Sequence, residues 1–436
     1  MIIILFCLLN IFCIHLYFTK KYHFFIFCSL MVLISEPIFQ KLVDDSLKGE
    51  TFNVFGFDRV KTNLVIIATN IFILLNAKKN DLNLKLKASL FQFSIITIFF
   101  HIINVILSEN IQNSLIVATV AILGPLMYFN VILAIPKEKF IDTTMMLKII
   151  YVVNILFLLI GLVYYNNTLS KGESSNLDII RTGGGLWLSN IATQILAVFF
   201  PFIFSKTNFK HANLLKIITA LLYVVLLIIS MSRTGLIVYF LMLVVIFWNS
   251  RKKLGYVFLG LIIFNLTVFI SAEIFKIDVV KLYTERFLEQ GDAVSTTTSD
   301  SRFEIWEESI DILSGHEIAG TGISSFTDIN KSGFSNAHNI FINILVERGI
   351  IGLVLFLFFI FFVFSVCNQT QKIFKNDEPE IEFVHFFRIG MLGFLSVGLT
   401  GNDMFVNSGF INGWATYFIL FLLAILLKKA SNYKLI

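Results

Sequence analysis

The sequence predicts an all-α fold, a polytopic membrane helix bundle, from its composition, the length of its apolar runs and the distribution of its basic residues. Of the 436 residues, 57% are hydrophobic and only 14% are charged, which is too little polar surface to keep a soluble core of this size dispersed. Many apolar runs approach the roughly 20 residues that cross a bilayer as a helix. Because these runs are continuous rather than alternating, the sequence predicts spanning helices and not a transmembrane barrel.

The apolar runs divide the chain into about thirteen predicted spans. About ten of them form an N-terminal membrane bundle in residues 1–272, and three form a C-terminal region in residues 338–436. A long loop, residues 273–337, separates the two regions. The predicted spans are 2–18, 22–35, 62–77, 88–107, 113–135, 145–165, 186–204, 214–231, 233–249, 254–272, 340–366, 385–401 and 409–428.

The distribution of basic residues predicts the orientation of the bundle. Most of the 34 lysines and arginines fall in alternate loops that share a side with the C-terminal tail, and short loops rich in such residues face the cytoplasm. The loop 273–337 and the short loops that carry Arg181 and Arg233 are therefore expected on the extracytoplasmic side. The basic residues assigned to the cytoplasmic side are Lys20, Lys21, Lys78, Lys79, Lys85, Lys87, Lys137, Lys139, Lys148, Lys206, Lys210, Lys216, Arg251, Lys252, Lys253, Lys372, Lys375, Lys428, Lys429 and Lys434.

The loop 273–337 is expected to contain an amphipathic helix at residues 302–314. Ser301 and Glu304 have the spacing of a capping box, and apolar residues follow at helical spacing before Gly315. This apolar stripe could lie on the membrane surface or pack on the bundle. It consists of Phe303, Trp306, Ile310 and Leu313.

Four polar clusters on the predicted extracytoplasmic side are candidates for chemistry. The first is Arg181 with the glycine run that follows it, before span 186–204. A glycine run ahead of a helix lets backbone N–H groups approach an anion, and arginine adds a bidentate charge. The other three are the Ser232–Gly235 turn with Arg233, Arg302 at the start of the amphipathic helix, and His338 with Asn339.

His338 is the histidine best placed for proton transfer. Among the seven histidines, it alone lies in a polar extracytoplasmic stretch that leads into a span, and histidine is the usual base near neutral pH. On a continuous helix at about 100° per residue, it would share a face with Gly349 and Gly352, and Glu347 would lie opposite. The two glycines are expected to let another helix pack closely, with Glu347 near the membrane boundary.

These clusters, taken in order, resemble the O-antigen ligase and polymerase family. The resemblance covers roughly residues 178–400 and rests on Arg181-x-Gly183 with Asn190, Ser232-Arg233-Thr234-Gly235, Arg302-x-x-x-Trp306, Gly320-Thr321-Gly322 and His338-Asn339-x9-Gly349-x-x-Gly352. It implies a GT-C-like membrane fold and metal-independent glycosyl transfer from an undecaprenyl-diphosphate-linked glycan to a sugar hydroxyl. By resemblance, His338 is the catalytic residue, and Arg181, Arg302 and Arg233 bind the diphosphate donor. Asn339, Glu347, Gly349 and Gly352 have supporting roles.

Each of these residues also has a structural interpretation. His338 could be a hydrogen-bonded interfacial histidine, and Arg181 a lipid-headgroup anchor. Arg302 could cap its helix or pair with a neighbouring carboxylate. Arg233 could be a turn residue, and Glu347 a boundary charge paired with Arg348.

The leading functional hypothesis is a polymerase of lipid-linked oligosaccharide repeat units, multi-pass in the bacterial inner membrane, with its active face extracytoplasmic. The nearest alternative is a ligase that transfers the finished glycan to lipid A–core. A third hypothesis is a flippase or other transporter, which would place charges along a central pathway and show repeat symmetry. The expected partners are the lipid-linked donor, a sugar acceptor, membrane lipids and, for a polymerase, a chain-length regulator. We expect no cofactor, no metal and no nucleic acid.

Overall fold

The computed structural model describes residues 2–46, 62–77, 84–136, 142–169, 196–205, 212–230, 233–247, 300–331, 337–374, 377–399 and 413–430. Within these ranges every regular element is a helix and no strand is present, which confirms the predicted all-α fold class. The α-helices are α1 (Ile2–Phe18), α2 (Tyr22–Ser46), α3 (Thr62–Asn76), α4 (Leu84–Leu107), α5 (Ile111–Ala118), α6 (Gly124–Ala134), α7 (Thr143–Leu169), α8 (Ala212–Ser230), α9 (Arg233–Phe247), α10 (Asp300–Leu313), α11 (Phe326–Ile329), α12 (Ile340–Ile373), α13 (Glu378–Gly398) and α14 (Gly413–Ala430).

Most helices follow the predicted spans where the structure describes them, although α2 and α12 extend well beyond spans 22–35 and 340–366. Span 254–272 lies outside the described residues, and span 186–204 is described only from residue 196. Three described helices are long and apolar enough to cross a membrane, at Thr143–Ile160, Ile340–Ile373 and Glu378–Gly398, and others are apolar but shorter. The sequence therefore predicted these helices from hydropathy alone.

The predicted span 113–135 is built from three segments rather than one regular helix. A π-helical turn, Thr119–Leu123, joins α5 to α6, and Pro125 lies in the first turn of α6. Proline has no N–H to donate into the preceding turn, so it fits only where the regular hydrogen-bond ladder is already interrupted. A comparable short element, the 3₁₀ turn Phe200–Phe204, contains Pro201.

Several helices expose large apolar side chains on their outer surface. Phe99 on α4 and Phe361 on α12 are 63% and 70% exposed. Such a surface is unfavourable in water, whereas hydrocarbon solvates it well. The exposed apolar residues on α1, α4 and α12 include Ile4, Leu8, Ile11, Ile106, Val354 and Phe358.

The bundle has two distinct ends. At one end, the Lys428 ammonium donates to the carbonyl oxygens of Leu133, at 2.7 Å, and Ile135. Lys429 forms an ion pair of 2.6 Å with Glu380. We call this the lysine end. α12 begins at the opposite end, which we call the His338 end.

α10, Asp300–Leu313, covers most of the amphipathic helix predicted at 302–314, but its buried face differs from the predicted stripe. The helix includes Ser301, so Ser301 is inside the first turn and is not the predicted N-cap. Ile305 and Ser309 are buried, whereas Phe303 and Ile310 are 64% and 63% exposed. The face that packs on the bundle is thus one residue out of phase with the apolar spacing in the sequence.

Candidate functional site

The site is built around α12, which contacts α4, α10, α13 and α14. Its first residues position His338. Asn339 is the N-cap of α12, and its side-chain oxygen accepts hydrogen bonds from the N–H groups of Phe341, at 2.9 Å, and Ile342, at 3.3 Å. Asn is among the strongest N-cap residues because its side-chain oxygen accepts hydrogen bonds from N–H groups of the first helical turn, which have no acceptor within the helix. The predicted supporting role of Asn339 therefore has a structural basis, since it fixes where the helix begins.

His338 itself lies just before the helix in a left-handed conformation, with φ of 51°. That region is uncommon for a residue with a side chain and is costly unless the surroundings hold it. His338 is partly buried. Its imidazole is therefore presented by a fixed, strained backbone rather than by a regular helical turn.

Ala337, the residue before His338, is held through both of its backbone polar groups. The indole Nε1 of Trp306 donates to the carbonyl oxygen of Ala337 at 2.9 Å. The Ala337 N–H donates to the side-chain oxygen of Asn343 at 3.1 Å. Because the two bonds come from different elements, they fix Ala337 relative to both α10 and α12.

Trp306 also brings the first turn of α10 to His338. Ile305, Phe326, Ala337 and Val346 form a small buried apolar cluster between α10 and α12. Arg302 precedes Trp306 by four residues, about one helical turn or 6 Å along α10. The backbone of α10 thus places Arg302 near the residue that holds the His338 peptide.

α12 is broken at Gly349, where φ is 62° and ψ is −168°. A segment of the long loop, Glu317–Gly322, satisfies the backbone groups that the break releases. The carbonyl oxygens of Val346 and Glu347 accept from the N–H groups of Thr321 and Gly322, both at 2.9 Å. The N–H groups of Ile350 and Ile351 donate to the carbonyl oxygens of Glu317, at 2.8 Å, and Ile318, at 3.2 Å.

These four bonds replace the two helical bonds that would join residue 346 to 350 and residue 347 to 351. Leaving a buried backbone group unpaired costs about as much free energy as losing a hydrogen bond. The broken helix is therefore stable only because the loop supplies these partners. We call Glu317–Gly322 the inserted segment. It ties the long loop to α12 through backbone alone.

Glycine is required at Gly349 for conformation and for space. A Cβ at Gly349 would lie 2.3 Å from the carbonyl oxygen of Ile318. Gly320, with φ of 76°, is equally tight, because its Cβ would lie 2.3 Å from the backbone N of Arg348. Any side chain at either position would separate the inserted segment from α12.

The prediction that Gly349 and Gly352 form a packing face for another helix is wrong for Gly349, whereas Gly352 does lie close to another helix, because a Cβ there would be 3.5 Å from the Phe100 ring of α4. Gly349 makes room for the backbone of the inserted segment. Gly352 makes room for a side chain of α12 itself, since a Cβ there would lie 2.2 Å from Cβ of Arg348. The shared face expected for His338, Gly349 and Gly352 is also wrong, because His338 precedes the helix and the helix is interrupted before Gly352.

Glu347 and Arg348 are buried, with 1% and 2% of their surface exposed. The Glu347 carboxylate lies 3.9 Å from the Arg348 guanidinium. The two residues therefore pair as one structural interpretation suggested, but beneath the inserted segment rather than on an open boundary.

The N-terminal spans hold the inserted segment, which the sequence did not indicate. The Asn104 amide of α4 donates to the carbonyl oxygen of Ala319 at 2.7 Å. The Ser114 hydroxyl of α5 donates to the carbonyl oxygen of Ile323, the residue that follows the inserted segment, at 2.5 Å. The available signal was weak: Asn104 is one of several polar residues in a largely apolar span, and asparagine in such spans commonly hydrogen-bonds across helices.

The structure describes the predicted donor-binding arginines only in part. Arg181 lies outside the described residues. Arg233 is the first residue of α9 and Arg302 is the third residue of α10, but their side chains are outside the described part. Among the described residues, no three His, Cys, Asp or Glu side chains are grouped so that they could hold a metal ion.

Residues 218–357 match the model of a family described as O-antigen ligase. The matched segment runs from α8 into α12, so it contains Arg233, Arg302 and His338 but not Arg181. The match confirms the resemblance to the O-antigen ligase and polymerase family. It supports a glycan-processing function of that type without distinguishing polymerase from ligase. No match was found among curated proteins.

Proposed function

We propose that this protein is a glycosyltransferase that polymerises oligosaccharide repeat units carried on undecaprenyl diphosphate, at the extracytoplasmic face of a bacterial inner membrane. The observation that carries the proposal is the way His338 is held. Its backbone is in a left-handed conformation, and the preceding residue, Ala337, is fixed by Trp306 and Asn343. Strain that the surrounding structure enforces is typical of functional sites.

His338 acts as the general base in the proposed reaction. It takes the proton from a sugar hydroxyl of the acceptor, a second lipid-linked unit, and the hydroxyl oxygen bonds to the anomeric carbon of the donor chain. The bond from that carbon to the diphosphate oxygen breaks, and its electron pair leaves with undecaprenyl diphosphate. The glycan is now joined to the acceptor, and the proton on His338 passes to solvent.

Arginine side chains stabilise the charge that develops on the leaving diphosphate. Guanidinium groups bind phosphate oxygens in a bidentate manner and keep their charge at any physiological pH. We assign this role to Arg181 and Arg302, with Arg233 as a further donor-binding residue. The nearness of the α10 backbone to Ala337 supports Arg302 in this position.

Two features support an extracytoplasmic site. The lysine end of the bundle holds Lys428 and Lys429, and such residues gather on the cytoplasmic side of membrane proteins. His338 and the inserted segment lie at the other end of the same helices.

Ligation of the finished glycan to lipid A–core is the second candidate, and the description of the matched family favours it. The donor chemistry is the same, and only the acceptor differs. Deleting the gene separates the two functions. Loss of a polymerase leaves single repeat units on the surface lipid, whereas loss of a ligase leaves long chains on the polyprenyl carrier.

The direct test replaces His338 with asparagine in the purified full chain, reconstituted with the lipid-linked repeat unit. Asparagine tolerates the left-handed region, so we expect normal folding and no chain elongation. His316→Asn is the matched control, because His316 is an exposed histidine at the same end and should not affect elongation. Full elongation by His338→Asn would remove His338 from the mechanism.

A further inference from the structure

The lipid-facing surface of α12 begins at its break. No residue of α12 between Ile340 and Gly349 is exposed. From Ile350 to Phe361, by contrast, every exposed residue is apolar, and the first exposed polar residue is Asn368. The stretch from Ile350 to Asn368 rises about 27 Å, close to the roughly 30 Å of a hydrocarbon core. The break at Gly349 therefore lies near the boundary of the hydrocarbon core, in the leaflet at the His338 end.

α4 shows a similar change from apolar to polar at the same end. Its last residues expose apolar side chains, with Ile106 66% exposed and Leu107 48% exposed. The next exposed residue, Glu109, is charged. Asn104 is buried and lies three residues before the end of α4, which is about 4.5 Å along the helix axis. Asn104 is therefore at the level of the lipid-facing side chains of α4.

The inserted segment is bonded to α12 and α4 at this level. Its Ile318 carbonyl oxygen accepts from the N–H of Ile351 at 3.2 Å, and its Ala319 carbonyl oxygen accepts from the Asn104 amide at 2.7 Å. The segment thus bridges the lipid-facing parts of the two helices. Its Ile318 side chain is 70% exposed, as are the apolar side chains of α4 and α12 on either side of it.

The character of the exposed surface changes within the loop between Glu317 and Ile318. The four residues before Ile318 are exposed and none of them is apolar and large: Ser314, Gly315, His316 and Glu317. The Glu317 carboxylate accepts from the N–H of Gly315 at 3.0 Å, so it is directed back along the chain towards these polar residues. This change is what a chain shows where it passes from water into hydrocarbon.

The backbone of the inserted segment is paired as hydrocarbon requires. The carbonyl oxygens of its first three residues and the N–H groups of its last three all have hydrogen-bond partners within the protein. Irregular backbone is tolerated at membrane depth only where the protein supplies such partners, because lipid offers none. A loop in water has no such requirement, since water can satisfy its polar groups.

We propose that the inserted segment is a re-entrant membrane element: it enters the hydrocarbon core of the leaflet at the His338 end, and Ile318 contacts the acyl chains of membrane lipids. Glu317 remains at the level of the headgroups. The segment that pairs with the broken backbone of α12 is thereby anchored in lipid as well as to α4. This inference does not depend on glycan transfer, because it uses only exposure, hydrogen bonding and depth.

The test attaches a nitroxide spin label to Ile318→Cys in the full chain in phosphatidylglycerol–phosphatidylethanolamine liposomes, after the four native cysteines are replaced by alanine. Electron paramagnetic resonance measures how often the label collides with oxygen, which concentrates in hydrocarbon, and with a nickel chelate, which stays in water. Val354→Cys is the lipid-facing control, at a residue of α12 that is 56% exposed. Ser314→Cys is the water-facing control, at an exposed residue just after α10.

We expect the label at Ile318→Cys to behave like the label at Val354→Cys, with a ratio of oxygen to nickel collisions severalfold above that at Ser314→Cys. Frequent collisions with nickel would place Ile318 in water and overturn the proposal. Rare collisions with both reagents would also overturn it, because they would show that another part of the protein or a second copy covers Ile318.

A substitution that adds charge gives a second test without a label. Ile318→Glu should lower the thermal unfolding temperature in the same liposomes by roughly 3 °C or more, because a carboxylate is unfavourable in hydrocarbon. His316→Glu is the matched control, since it adds the same group at an exposed residue on the polar side of the change and should cause little shift. Equal unfolding temperatures of the two variants would contradict the proposal and leave the proposed function untouched.

Discussion

Trp306 donates a hydrogen bond of 2.9 Å from its indole nitrogen to the carbonyl oxygen of Ala337, the residue that precedes His338. This bond joins α10 to the start of α12 across 31 residues of sequence. It explains how a helix in the long loop can control the orientation of a histidine that is not part of that helix. If His338 is the base, this contact is part of its positioning.

Trp306→Phe should therefore slow glycan transfer without lowering the amount of folded protein. Phenylalanine keeps much of the aromatic packing but removes the donor, which is worth about 1 kcal/mol or roughly fivefold in rate. The measurement is the initial rate of elongation in proteoliposomes. Phe303→Leu, at an exposed neighbouring ring, is the control and should retain the wild-type rate. An unchanged rate in Trp306→Phe would show that the indole hydrogen bond does not position the site.

Asn343→Leu should also slow transfer, because it removes the acceptor for the Ala337 N–H. Trp306 and Asn343 hold the carbonyl oxygen and the N–H of the same residue, Ala337, so their effects should be coupled. In the double variant, the combined loss should differ from the sum of the single losses by about 0.5 kcal/mol or more. A double-mutant cycle on the transfer rate measures this, and strict additivity would argue against a shared role.

Gly349→Ala should strongly destabilise the protein. The φ of 62° and ψ of −168° at Gly349 are almost restricted to glycine and cost an alanine roughly 1–3 kcal/mol, and the new Cβ would collide with the Ile318 backbone, for a further penalty of roughly 1–3 kcal/mol. Gly315→Ala is the control for a positive φ without a collision, because Gly315 has φ of 85° but a Cβ added there would meet no atom within 4 Å. The thermal unfolding temperature in detergent should therefore fall much further for Gly349→Ala. Equal decreases in the unfolding temperature of the two variants would mean that the inserted segment moves away from the new Cβ without loss of stability.

Stability should fall between pH 5 and pH 7 because of Asp377, which precedes α13 at the lysine end. A hydrogen bond to the Glu380 carboxyl raises the pKa of Asp377 from 3.8 to about 6. The folded state thus binds more protons than the unfolded state between these values. The stabilisation is complete below about pH 4 and is lost as pH rises through 6.

Asp377→Asn should flatten this pH dependence, since asparagine cannot titrate. The readout is the difference in unfolding temperature between pH 5 and pH 7. Because Asp377 is largely exposed, solvent screening will keep the effect small. Asp311→Asn, at the exposed surface of α10, is the control. A wild-type protein that gains stability over this pH range would contradict the assignment.

Hydropathy predicted the helices well, and the reason is physical. Burial in hydrocarbon requires a continuous apolar run whose backbone bonds are internal, and both properties are local in sequence. α1, α3 and α14 therefore coincide closely with the predicted spans. The order of the arginine and histidine motifs was also sufficient to indicate the family that the match at residues 218–357 confirms.

The interior of the site could not be predicted in this way. Gly349 and Gly352 have the spacing of a helix-packing pair, and the sequence contains no sign that the inserted segment interrupts the helix between Glu347 and Ile350. That interruption depends on backbone hydrogen bonds between residues about thirty positions apart. Asn104 and Ser114 are more distant still from their partners at Ala319 and Ile323.

The sequence by itself determined that the chain forms a bundle of apolar helices and that its candidate base is His338, because span length and residue chemistry are properties of short segments. Only the tertiary structure decided that α12 is broken, that Trp306 and Asn343 hold Ala337, the residue before His338, and that Glu347 and Arg348 are buried as a pair. These features arise where polar backbone groups must find partners outside their own helix, and such partners are fixed by packing and not by local sequence.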